Sequence, residues 1–205
     1  MKILKPFVFT VLFLVGFGAL NHEAKAATLS TGATGEQVIH IQSILKELGY
    51  FQSQPTGYYD PITENSVARF QRDFNIEQLG IVGPQTSKRL EDVDMMAHVV
   101  YGEARGESYE GQVAVAAVIL NRVQSDEFPN SISGVILQRN AFSSIMDGQS
   151  LLPPNSGAYK AVKDAFMGWD PSGGAVYYYN PGLATDSWIY SRTVTKRIGN
   201  HLFGI

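Results

Sequence analysis

Glu103 stands between two glycines in the stretch Tyr101-Gly102-Glu103-Ala104-Arg105-Gly106-Glu107. Ahead of it, Met96, Val99 and Val100 fall at i, i+3 and i+4, the apolar stripe of a helix. Behind it, residues 112–123 are apolar on nearly every side, a pattern that only an interior helix tolerates. The glycines predict that the first helix stops around the Glu. A carboxylate at the frayed end of a half-buried helix, beside a wholly buried one, is where desolvation can raise a pKa enough for general acid work. Glu103 is therefore the first catalytic candidate.

Most glycosidases need a second carboxylate at a defined separation from the first. Glu107 is the nearest in sequence, but Gly106 and Ser108 argue against a continuous helix that would turn both to one side. Glu107 reads better as a helix-start residue favoured by the dipole of the following segment, and Glu110 has the same explanation. Other chemistries have less support. The segment 93–205 contains two histidines, His98 and His201, far apart in sequence, whereas a catalytic zinc generally takes three protein ligands. No Gly-x-Ser-x-Gly elbow is present, and the absence of cysteine removes thiol nucleophiles and disulfides together. No metal and no other cofactor is expected.

The elements that must position Glu103 divide into two pieces behind a leader. Residues 1–26 pair Lys2 and Lys5 with the apolar run Phe7 to Leu20 and end on Ala24-Lys25-Ala26, the pattern of a secretory signal with its cleavage site. The run is interrupted and short for a span, so no membrane span is expected after cleavage, an uncleaved anchor being the alternative. Loss of the leader would move the formal charge from −3 to about −5, which disfavours nucleic acid and anionic membranes as partners. Sugars, bound by stacking and hydrogen bonding, remain open. Residues 27–92 suit a three-helix module and residues 93–205 a larger core. In the first piece Val38, Ile41, Leu45 and Leu48 make one stripe that ends at Gly49. Asp60-Pro61-Ile62-Thr63 opens a second helix, through Val67, Phe70 and Phe74, with the acid as N-cap and proline at the first helical position. That opening is echoed by Gly83-Pro84-Gln85-Thr86 before Leu90, which predicts two similarly capped helices packed together.

Leu48-Gly49-Tyr50-Phe51, Gly57-Tyr58-Tyr59-Asp60-Pro61-Ile62-Thr63, Ala68-Arg69-Phe70-Gln71 and Gly83-Pro84-Gln85-Thr86 resemble the peptidoglycan-binding module appended to many wall hydrolases. Phe70 and Phe74 fit its core. Tyr58 and Tyr59, in a turn region, are the candidates for contact with glycan or stem peptide, since a Tyr ring offers an apolar face and a polar tip. The second piece resembles the catalytic domain of the spore cortex-lytic, SleB-like cell wall hydrolases. The resemblance rests on Val100 to Glu107, Gly111 to Ala116, Val118 to Val123, Phe128-Pro129, Gly168 to Pro171, Tyr177 to Pro181 and Arg197 to His201.

The resemblance implies a mainly α (α+β), lysozyme-like fold with a small β element and cleavage of muramic-acid-containing glycan by one Glu, here Glu103. It implies lytic transglycosylase chemistry on peptidoglycan glycan strands of the spore cortex, during germination, by a secreted protein. The alternatives are an N-acetylmuramoyl-L-alanine amidase and a non-catalytic wall-binding protein. The linker between Leu90 and Asp94 is almost absent, which restricts reorientation of the two pieces.

Further substrate contacts are expected from two loops and a strand. Residues 175–179, after Gly173-Gly174, and residues 188–191 are β-prone and predict a hairpin. Alternation puts Tyr177 and Tyr179 on one face and Tyr178 on the other, with at least one ring exposed. Tyr179-Asn180 loosely resembles a Tyr-Asn pair in the cleft of other lytic transglycosylases, and Tyr178 joins it as a candidate. Phe142 and Ser143, in a loop after the apolar segment Ile132 to Leu137, could bring a ring and a hydroxyl to the cleft, or lie in a plain surface loop. Trp169 is expected to close the helix carrying Ala158, Val162, Ala165 and Phe166 against the core.

Overall fold

The structure, a computed structural model, describes residues 28–185 and 187–205. The leader at 1–26 lies outside the described residues.

Helix α1 (Glu36–Glu47) buries the stripe Val38, Ile41 and Leu45, with Leu48 just past its end, and the chain turns at Gly49 with φ 83°. Helix α2 (Pro61–Asp73) begins as expected: Asp60 accepts a bond of 2.7 Å from the Thr63 amide and another of 2.7 Å from its hydroxyl. The echoed opening is the start of helix α3 (Pro84–Ala104), capped by Gly83 without a side-chain bond. The echo has a buried counterpart. Gln42 on α1 accepts from the Thr56 and Gly57 amides and donates to the Tyr58 carbonyl and Thr63 hydroxyl. Gln71 on α2 accepts from the Leu79 and Gly80 amides and donates to the Ile81 carbonyl and Thr86 hydroxyl. Each glutamine thus pins the turn that leads into the next helix, and two short bridges, Thr34 to Tyr58 and Leu29 to Val82, close the same turns from outside.

No break separates the two pieces, because α3 runs through both. Thr86 and Leu90 are buried at its start, and Val99, Val100 and Ala104 are buried at its end. Helix α7 (Ser156–Phe166) fastens the junction. Phe166 packs edge-on to Phe74 at 5.2 Å, Arg89 lies 4.8 Å over the Phe166 ring and Lys163 lies 4.2 Å over Tyr50. Ser156 donates to Glu47 at 2.6 Å, and the Tyr159 hydroxyl donates to Asp94.

Helix α4 (Tyr109–Gln124) is the interior helix that its apolar composition predicts, packed against α3, α7 and the short helix α5 (Ile132–Ile136). Val113 through Ile119 are all buried. A four-residue helix, α6 (Ser143–Met146), lies across the end of α3. The sheet is antiparallel with order β1-β3-β2: β1 (Tyr177–Tyr179), β2 (Val194–Ile198) and β3 (His201–Gly204).

Two expectations are corrected here. The partner of the tyrosine strand is β3, with Tyr178 opposite Phe203, while residues 187–191 form a 3-10 helix. The hairpin is instead β2–β3, turning at Gly199-Asn200, and its register carries the chain end back to β1. Trp169 is 44% exposed, tilted against Tyr109 at 5.9 Å, and does not close α7 against the core.

Candidate active site

Glu103 lies in the last turn of α3, half-buried, and the helix does not stop at Gly102. Gly102 serves another purpose. A Cβ there would sit 2.5 Å from the Ser144 Cβ and 3.3 Å from the Ser150 amide, so only glycine lets α6 and the following turn close on α3. That approach brings the Ser144 amide within 2.6 Å of Glu103 Oε1. The Ser143 hydroxyl donates to both carboxylate oxygens, at 3.1 and 3.2 Å.

The opposite wall is β1 and β3. Tyr178 faces Glu103 and packs against Phe142, His201 and Phe203 at 6.5, 5.3 and 5.9 Å. Burial, then the negative charge of Glu103, raise the Tyr178 pKa well above the ordinary phenol value, although Arg122 opposes them. The hydroxyl is therefore protonated at neutral pH and donates toward the carboxylate. Arg122, near the end of α4, lies behind this wall, 6% exposed. Its Nε donates to the Val176 carbonyl at 2.7 Å, and its guanidinium lies over Phe142 at 5.1 Å and Phe128 at 5.2 Å. Burial lowers the Arg122 pKa, while Tyr178, Tyr177 and Glu103 pull it back up. His201 is buried too, and burial lowers its pKa against the pull of Glu107 and Glu103. Among the described residues its Nδ1 and the Ser144 Oγ have no hydrogen-bond partner.

Glu107 is not the helix-start residue expected. It precedes the N-cap of α4, Ser108, and reaches across to the β2–β3 turn. Its oxygens accept from the Asn200 amide at 3.1 Å and the Asn200 side chain at 2.9 Å. Burial would raise its pKa, but these two donors and His201 outweigh that and hold it below the usual glutamate value. Gly199, at φ 56°, gives that carboxylate room, since a Cβ would collide with Oε2.

The remaining candidates separate cleanly. Ser143 and Tyr178 are brought to Glu103. Phe142 is 2% exposed and backs the wall under Arg122, so it supports the site without offering a ring to substrate. Tyr179 lies on the other strand face against Tyr190, and Asn180 spends its side-chain oxygen on the Gly182 amide. Neither contacts Glu103. In the first module Tyr58 is 50% exposed, but Tyr59 is fully buried with its hydroxyl on the Gly80 carbonyl at 2.7 Å, which removes it from any surface contact.

Sequence reasoning missed Arg122, His201 and Ser144. The signal for Arg122 was present: a cation near the end of a helix apolar all round must meet something that offsets its burial.

Residues 106–204 match the family described as Cell Wall Hydrolase, and residues 34–90 match a peptidoglycan binding domain. The first match starts just after Glu103. A fold with these two parts and this site defines an enzyme that acts on peptidoglycan. The spore cortex-lytic enzyme of Bacillus cereus is 39% identical over 220 residues, covering 85% of each chain. The crystal structure of the catalytic domain of the Bacillus cereus SleB protein superposes with TM-score 0.53 at 58% identity, over 56% of this chain and 89% of that one. The catalytic domain of the germination-specific lytic transglycosylase SleB from Bacillus anthracis also has TM-score 0.53, at 59% identity, over 56% and 93%. The chain belongs to the spore cortex-lytic enzyme family.

Proposed function

We propose that this chain degrades spore-cortex peptidoglycan in germination as a lytic transglycosylase, with Glu103 as its one acid and base. Residues 27–92 would hold the wall and residues 93–205 would cut it, after export directed by the leader at 1–26. One observation carries the reading. Glu103, half-buried, is held by Ser143, Ser144 and Tyr178, while Glu107, the nearest carboxylate in sequence, is engaged by Asn200.

With a single carboxyl group, the substrate supplies the nucleophile. Protonated Glu103 gives its proton to the glycosidic oxygen as the C1–O bond of muramic acid breaks, and the N-acetylglucosamine hydroxyl leaves. The resulting carboxylate takes the proton from the C6 hydroxyl of the same muramic acid as O6 bonds to C1. A 1,6-anhydro ring forms, no water is consumed, and Glu103 ends protonated as it began. The Ser143 hydroxyl and Ser144 amide fix the carboxyl orientation through both transfers, a positioning role.

Mass spectrometry of digested cortex and vegetative sacculi tests this, with anhydro-muramic ends expected. Reducing muramic acid ends alone would refute the transglycosylase step, and chelator-sensitive release of free amino termini would favour an amidase. Glu103→Gln keeps the shape and removes the transferable proton, so release should fall by at least about 10³-fold. Intact wall binding with no glycan release by the wild type would leave only a binder.

A further inference from the structure

A cavity of about 290 Å³ opens on the first module, between the start of α2 and the turn after α1. Tyr50, Gln52, Ile62, Asn65, Ser66 and Arg69 line it. Arg69 sets its character. Its Nη2 donates to the Tyr50 carbonyl, which also accepts from the Ser66 hydroxyl at 3.0 Å, so the guanidinium is held in place at the wall. Among the described residues its buried Nε has no acceptor. The nearby carboxylate, Asp73, is engaged elsewhere: it accepts from the Tyr50 hydroxyl at 2.8 Å and pairs with Arg72 at 2.9 Å. Among the described residues Arg69 makes no ion pair, and no acidic side chain lines the cavity. A fixed, half-buried cation without a counter-charge is a receptor for an anion, and the guanidinium fork matches a carboxylate. Around it lie the exposed amides of Gln52 and Asn65 and the 54% exposed side chain of Ile62. Such surroundings fit a small apolar residue with an adjoining peptide group.

We propose that this cavity binds the free carboxylate of a peptidoglycan stem peptide, with Arg69 as its anchor, Asn65 on the neighbouring peptide group and Ile62 against an alanine methyl. The proposal deepens the wall-binding reading of residues 27–92 and rests on it. It moves recognition from the turn bearing Tyr58 to the cleft beside α2, and from sugar stacking to capture of an anion.

The test is a titration of the full exported chain, followed by NMR, with a synthetic tetrapeptide ending in D-alanine and with the same peptide as its C-terminal amide. The free acid should bind about tenfold more tightly than the amide. Arg69→Met should erase that preference and Arg69→Lys should keep part of it. Asn65→Asp changes only an exposed side chain, leaves the Tyr50 contact intact and should weaken the acid by neutralising the cation. Equal binding of acid and amide by the wild type, or unaltered binding of the acid by Asn65→Asp, would overturn the proposal. Acid-selective binding in a chain whose Glu103→Gln form still cuts would sink the catalytic reading alone. Loss of cutting in that form, with no acid preference in the wild type, would sink the cavity alone.

Discussion

The turns of the first module and the surroundings of Glu103 both bury polar side chains, but they end in opposite states. Gln42 and Gln71 are sealed, and each amide meets two backbone donors, a carbonyl and a threonine hydroxyl. Around Glu103, the Ser144 hydroxyl and His201 Nδ1 are buried without partners among the described residues, and Arg122 is buried against aromatic faces. An unpaired buried polar group costs roughly 1–3 kcal/mol, so the second arrangement is the less stable way to bury the same kinds of atoms. Closed networks hold a shape, whereas the open one keeps donors and charge ready for a substrate that has yet to arrive.

Substitutions can break this contrast from either side. Gln71→Leu would orphan the Leu79 and Gly80 amides and the Ile81 carbonyl, and should cost about 3 kcal/mol or more in denaturant unfolding. A loss under 1 kcal/mol would mean that the network is not what holds the turn. Gly102→Ala should leave stability within about 1–3 kcal/mol of wild type yet push α6 away from Glu103, lowering the turnover of glycan by about 10²-fold. Unchanged turnover would show that the Ser144 amide is not needed. Ser143→Ala keeps that amide and removes only the hydroxyl, for which about a tenfold loss in turnover is expected.

The smallest effect is a pH dependence. The folded pKa of Glu107 is lowered, so its bonds to Asn200 contribute stability above the ordinary value of 4.5 and lose it as pH falls through the folded value. Glu107→Gln should flatten that acid limb, and the Tm gap to wild type should narrow by roughly 2 °C from pH 6 to pH 3. Parallel Tm curves would remove Glu107 from the account.

What was legible in the sequence was local. The stripe on α1, the Asp60 cap and the all-apolar α4 depend on residues a turn or two apart, and each forms as its pattern dictates. The echo of Asp60-Pro61 in Gly83-Pro84 pointed to paired caps, and the paired glutamines beneath it are the reason the two turns match. Non-local closeness was hidden. Gly102 reads as a helix stop until residues 143–150 are known to cross it. The tyrosine strand pairs with the last strand of the chain, past a nearer β-prone run that coils instead. Of the site, Glu103, Ser143 and Tyr178 could be found from motif and loop position. The neighbouring picks part company for a simple geometric reason: adjacent residues of extended chain face opposite ways, so Tyr59 turns inward where Tyr58 turns out, and Tyr179 packs on Tyr190 while Tyr178 meets Glu103.

Helix α3 spans 21 residues, a strut of about 30 Å from the first module to Glu103. With a flexible tether, the chance that a gripped wall meets the cutting centre would depend on tether length. Here it is set once, when the chain folds, and no ordering entropy remains to be spent at the moment of engagement. The same stiffness selects among substrates. If the pocket beside α2 takes a stem peptide as proposed, only strands whose peptide and sugar features recur at a spacing compatible with that strut would occupy both ends at once.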